Sequence, residues 1–92
     1  MTAREVTLLY FASAKSALGN LSSESFPLPR TPFPLRDLEG LVADRHPEHA
    51  AGWREVVNRS AWSVDEMLIS NDEAVELQGG ETVAVIPPVS GG

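Results

Sequence analysis

The chain has no cysteine. That excludes disulfides, thiolate nucleophiles and thiolate metal sites, so any sulfur chemistry must run through another atom. Long apolar runs are also missing. No stretch approaches the roughly 18 to 20 residues of a membrane span, and Met1-Thr2-Ala3-Arg4-Glu5 has no apolar leader core. These absences predict a cytoplasmic protein with no membrane span. Cations are scarce: seven Lys and Arg stand against thirteen Asp and Glu, for a formal charge of -6. The seven are scattered, whereas a phosphate backbone needs clustered cations, so no nucleic-acid partner is expected. An acidic surface suits a basic groove on a protein partner, or serves solubility.

Catalytic equipment is equally sparse. There is no Gly-x-x-x-x-Gly-Lys-Ser/Thr loop, no Gly-x-Ser-x-Gly elbow and no Gly-x-Gly-x-x-Gly turn. The carboxylate pairs Asp65-Glu66 and Asp72-Glu73 fall in stretches that predict no buried pocket, and read as turn and surface residues. His46 and His49 are three apart, a spacing that can serve a metal, but Pro47 breaks the backbone between them and no metal site is expected. The chain reads as something acted upon rather than something that acts.

What is present is one ordinary domain. Ninety-two residues, 42% of them apolar, can bury roughly 60 to 65% of the unfolded surface without staples. Glu5 to Phe11 is apolar on both faces, with Val6, Leu8 and Tyr10 on one and Leu9 and Phe11 on the other, which predicts a central strand. Ala12 to Leu18 offers one or two helical turns closed by Gly19-Asn20. Ser22 to Leu28 is an expected edge strand. Residues 29–34 are too proline-rich for regular structure. Leu35, Leu38, Leu41 and Val42 then form one stripe of a helix that stops before Pro47. Residues 50–57 fit a short helix or a loop, with Trp53 and Val56 or Val57 turned to the core. Ser60 to Ile69 reads as a hairpin turning at Asp65-Glu66. Ser70-Asn71-Asp72 is a turn, Glu73 to Leu77 a single turn or a short 3-10 piece, and Gln78 to Glu81 a tight turn into a last strand over 81–86. The order predicts an α+β roll, one main helix covering a mixed sheet.

The chain is organised around its last six residues, Pro87-Pro88-Val89-Ser90-Gly91-Gly92. Two prolines directly after a β-branched strand stop sheet pairing and hold the last residues extended. Six extended residues reach about 20 Å, and Gly91 and Gly92 bring no side chain to hinder entry into a narrow channel. The reactive group at the tip is the carboxylate of Gly92. A carboxylate is a poor acyl donor and must first be activated, for example as an acyl adenylate. Since the chain has no nucleotide site, the expectation is that it binds no cofactor and that ATP is used by an activating partner. Attack by sulfide or persulfide then gives a terminal thiocarboxylate, which carries sulfur without cysteine.

Glu81 to Gly92 closely resembles the C-terminus of the small subunits of molybdopterin synthase, which are ubiquitin-like sulfur carriers. Val6-Thr7-Leu8-Leu9-Tyr10-Phe11-Ala12 and Arg45-His46-Pro47 are similar as well, so the likeness spans nearly the whole chain. It departs at Gly79-Gly80-Glu81 and in a longer proline-rich segment. The resemblance implies a β-grasp fold for residues 1–86 with an extended tail at 87–92. It implies adenylation and thiocarboxylation of Gly92 by a relative of ubiquitin activators, then sulfur donation to cyclic pyranopterin monophosphate inside a large subunit, in a heterotetramer. Catalytic residues are then expected on that large subunit, and this chain is its sulfur-donating member. Pro87, Pro88, Val89, Ser90 and Gly91, with Ile86 and Phe11, are the expected partner contacts, although Phe11 also fits the core. Other acceptors use the same acyl chemistry: carriers for thiazole synthesis or tRNA thiolation, and ubiquitin-like modifiers that acylate lysine. Pro87-Pro88-Val89-Ser90 favours the molybdopterin branch.

Overall fold

The computed structural model describes residues 4–70 and 73–88. Strand β1 (Glu5–Tyr10) lies inside the sheet as expected, but only one of its faces is buried, the one that carries Val6, Leu8 and Tyr10. A short helix α1 (Ala12–Ala17) ends at Gly19 and Asn20, both at positive φ, as the Gly-Asn pair predicts. β2 (Ser23–Pro27) returns antiparallel to β1 as an edge strand. A 3-10 turn at Leu35–Asp37 leads into α2 (Leu38–Arg45), and a second at Pro47–His49 leads into α3 (Ala50–Val57). The hairpin of β4 (Ala61–Val64) and β5 (Met67–Ile69) turns at Asp65 and Glu66, and β7 (Thr82–Ile86) closes the sheet. The five strands lie in the order β2-β1-β7-β4-β5. Only the β1–β7 pair is parallel, which makes the sheet mixed and puts the last strand at its centre.

One sequence expectation is decided and two change. First, the segment 50–57, which fits a short helix or a loop, is helical, so α3 joins α2 against the sheet. Trp53 decides this: it is 0% exposed, its rings stand edge-on to Tyr10 (5.6 Å) and Trp62 (6.4 Å), and its Nε1–H donates to the Glu39 carbonyl at 3.0 Å. An indole so enclosed buries on the order of 200 Å² and satisfies its single donor, which outweighs the helix penalty of Gly52. Second, the proline-rich stretch contains a strand, β3 (Phe33–Pro34), paired with β6 (Glu76–Leu77) in a separate two-stranded ribbon. Third, β6 occupies the place where a helical turn is expected. Both residues that anchor the ribbon, Phe33 and Leu77, are buried, so tertiary packing overrides local preference. The turn expected at 70–72 lies partly outside the described residues.

One polar cluster ties the edge of the sheet to the helices. The Tyr10 hydroxyl donates to Glu24 Oε2 at 2.6 Å, Arg45 Nη1 approaches Glu24 Oε1 at 3.2 Å, and His46 Nε2 lies 3.1 Å from Oε2. Arg45 also stacks over the Phe26 ring at 3.9 Å. Burial first, and then the hydrogen bond to Glu24, push the Tyr10 phenol above its ordinary range. His46 is thus engaged by Glu24, while His49 lies 3.9 Å from Glu48; the two histidines serve different neighbours.

Candidate functional site

The tail leaves from the centre of the sheet. Ile86 pairs with Ala61 on β4, and the Phe11 N–H points to the Val85 carbonyl at 3.4 Å. Beyond Ile86 two consecutive residues lack an N–H, so the ladder cannot extend. Pro87 is buried and Pro88 exposed, so the root of the tail is held against the domain at Pro87 and meets solvent at Pro88. Val89, Ser90, Gly91 and Gly92 lie outside the described residues.

Strand parity builds a surface beside that root. Val83 and Val85 point to the helices and are fully buried, so Ala84 and Ile86 take the opposite face. The register aligns Leu9 with Ala84, Ala84 with Ser63, and Ser63 with Leu68, a row across four strands. Ala84 and Ser63 are small, so the middle of the row is low. Leu9 and Phe11 stand on one side and Leu68 on the other, leaving a groove of about 660 Å³ with Ile86 at the tail end. Its apolar walls are open to solvent: Phe11 is 48% exposed, Leu68 70% and Ile86 36%.

Phe11, for which the sequence left core and contact roles open, is thus on the open face, next to Ile86 and the tail root. Leu9, Leu68, Ala84 and Ser63 join them without having been singled out from the sequence. Their signal was the alternation itself, once register set which residues share a row. At the far end of the groove sits the Asp65-Glu66 turn. Its backbone is held by the Asp65 N–H to the Thr82 carbonyl (2.8 Å) and by the Thr82 N–H to Asp65 Oδ1 (2.9 Å). The neighbouring turn into β7 is closed by the Glu81 carboxylate, which accepts the Gln78 and Gly79 N–H groups at 2.8 Å each. Gly79, at φ +107, has Arg4 where a Cβ would stand (2.9 Å), so glycine is required there.

Among the described residues, no helix is long and apolar enough to cross a membrane. The described arrangement is a tail root held at the end of the central strand beside an apolar face open to solvent. No protein-family model matches the chain. A putative molybdopterin converting factor subunit 1 from Pyrococcus furiosus superposes with a TM-score of 0.72 at 28% identity, over 95% of this chain and 100% of that one. The fold is therefore the ubiquitin-like β-grasp that the resemblance implies. In the complex of subunits 1 and 2 of the molybdopterin-converting factor from Helicobacter pylori, a chain with 20% identity superposes with a TM-score of 0.64, over 96% of this chain and 99% of that one. The molybdopterin synthase sulfur carrier subunit of Mycosarcoma maydis is 49% identical over 89 residues, spanning 95% of this chain and 92% of the relative. With near end-to-end identity at that level, this chain belongs to the molybdopterin synthase sulfur carrier subunit family.

Proposed function

We propose that this protein carries sulfur on the carboxyl group of Gly92 and delivers it to a pterin precursor within molybdopterin synthase. The observation that carries the reading is the 49% identity to a sulfur carrier subunit along almost the whole of both chains. The Gly91-Gly92 ending and the absence of cysteine give that role its chemistry. In the first step the Gly92 carboxylate attacks the α-phosphorus of ATP held by an activating partner, releasing pyrophosphate and leaving an acyl adenylate. Sulfide then attacks the acyl carbon and AMP departs, leaving a thiocarboxylate; a partner's persulfide in its place leaves an acyl disulfide, from which a second partner thiol releases the thiocarboxylate as the two partner sulfurs close to a disulfide. In the large subunit the sulfur passes to cyclic pyranopterin monophosphate, and water restores the carboxylate.

The chain's own contributions are positional. Buried Pro87 anchors the tail root, and the absence of side chains at Gly91 and Gly92 lets the tip enter both partners' active sites. Phe11 and Ile86, with Pro88, Val89 and Ser90, form the docking surface next to it. The large subunit is the docking partner, as in the Helicobacter pylori complex of subunits 1 and 2, and two such pairs make a heterotetramer. Catalytic residues belong to that subunit and ATP to the activating partner; this chain binds no cofactor and works in the cytoplasm.

Deleting Gly92 tests the proposal. The variant should fold normally, bind the large subunit, and fail to convert the pterin precursor. Conversion at the wild-type rate by the deleted protein would refute it.

A further inference from the structure

We infer that the groove on the open face of the sheet takes a large-subunit surface that is apolar at its centre and carries a lysine or arginine at one border, paired with the Asp65-Glu66 turn. The inference rests on the carrier reading and adds a charge requirement to it. Four observations meet at this turn. It closes the end of the groove remote from the tail, the length of β7 away, or about 13 Å at the usual strand rise. The groove is lined by these two carboxylates and by no cation, so its field has one sign at one end. Its apolar walls run continuously from there to Ile86, beside the tail root, so a partner that swallows the tail comes to lie over the turn as well.

The fourth observation is that the turn is built from residues poorly suited to it. Asp65 and Glu66 adopt φ of 50° and 73°, as a two-residue hairpin turn of this hand demands. Asparagine followed by glycine fits that geometry with least strain. Glutamate in the left-handed region is uncommon and unfavourable. The turn's hydrogen bonds give no reason for it either: Asp65 Oδ1 accepts the Thr82 N–H, a bond the asparagine amide oxygen can keep, and Glu66 makes no side-chain hydrogen bond among the described residues. The carboxylates therefore act outward. A border ion pair of this kind governs association rate and partner choice more than total affinity.

The test is the double variant Asp65→Asn/Glu66→Gly, which installs the preferred turn dipeptide and removes both charges, alongside Glu66→Gln, which removes one charge and keeps the strain. Binding of each purified chain to the purified large subunit is measured across a range of ionic strengths. The double variant should melt higher than wild type, by about 5 °C, yet bind the large subunit about threefold to tenfold more weakly at low salt, with a shallower salt dependence. Glu66→Gln should weaken binding in the same direction without the gain in melting temperature. Equal affinity and equal salt slope for the wild type and the double variant would overturn the inference. So would weakened binding to the activating enzyme alone, or self-association of the chain abolished by the variant with large-subunit binding unchanged. Wild-type protein in the same assay separates the two levels: failure of the wild type to bind or to support pterin conversion refutes the carrier reading itself, whereas wild-type conversion with an indifferent double variant refutes only the charged border.

Discussion

Replacing Tyr10 with phenylalanine removes one hydrogen bond and one titrating group, and each leaves a separate trace. The Tyr10 hydroxyl donates to Glu24 Oε2 at 2.6 Å, a charge-assisted bond of a kind that contributes about 1.5 to 3 kcal/mol. Glu24 is not orphaned by the change, because Arg45 and His46 remain at 3.2 and 3.1 Å. The loss should therefore fall at the lower end, about 1.5 kcal/mol at pH 7, or a melting point lower by about 8 °C for a domain of this size. The alkaline limb gives the second trace. The folded-state pKa of Tyr10 is raised, by burial and then by the bond to Glu24, while the unfolded phenol titrates near 10. Above that pH the unfolded chain releases a proton that the folded chain retains, so unfolding becomes easier by about 1.4 kcal/mol per pH unit. The stabilisation is complete below pH about 10 and is lost as pH rises above it. Tyr10 is the only tyrosine, so Tyr10→Phe lacks this slope entirely, and its urea-unfolding curve should approach that of the wild type between pH 9 and 11. A stability difference that stays constant across that range would show that Tyr10 is not held neutral by its surroundings, and would refute the argument.

Two further perturbations separate packing from docking. Gly40 and Gly52 sit inside α2 and α3 with nothing within 4 Å of an added Cβ, so Gly40→Ala and Gly52→Ala should each raise stability by about 0.5 to 1 kcal/mol, read as a rise in the urea midpoint at unchanged slope. Leu68→Asp, at a side chain 70% exposed, should leave the melting temperature within a few degrees while lowering affinity for the large subunit about tenfold or more.

The elements legible in the sequence were those whose burial pattern is local. β1 follows from its run of apolar residues, the β4–β5 hairpin with its Asp65-Glu66 turn from alternation, the final strand from its β-branched run, and the end of α1 from Gly19-Asn20. The β3–β6 ribbon was not legible, because each strand has two residues and one of the four is proline; only the burial of Phe33 and Leu77 selects it. The Tyr10-Glu24-Arg45-His46 cluster was hidden for another reason: Tyr10, Arg45 and His46 lie 14 to 22 residues from Glu24, and no periodicity links them. The open sheet face was half-visible. Leu9 and Phe11 made β1 apolar on both faces, which suggested full burial, but the three short helices lie against the face that carries Val83 and Val85, leaving the other apolar face open to solvent. Of the tail, the structure describes only the root: Pro87 is buried at the end of the central strand and Pro88 is exposed, while the proposed chemistry of Gly91-Gly92 rests on the sequence.

The most direct test of sulfur carriage is an intact-mass measurement, with fragment assignment, on this protein isolated from cells that contain its activating partner. The expected species has sulfur in place of one oxygen, with the replacement confined to Gly92. Protein that carries only an unmodified carboxylate, or that is recovered only as adducts joined through Gly92 to lysine side chains, would contradict the carrier role.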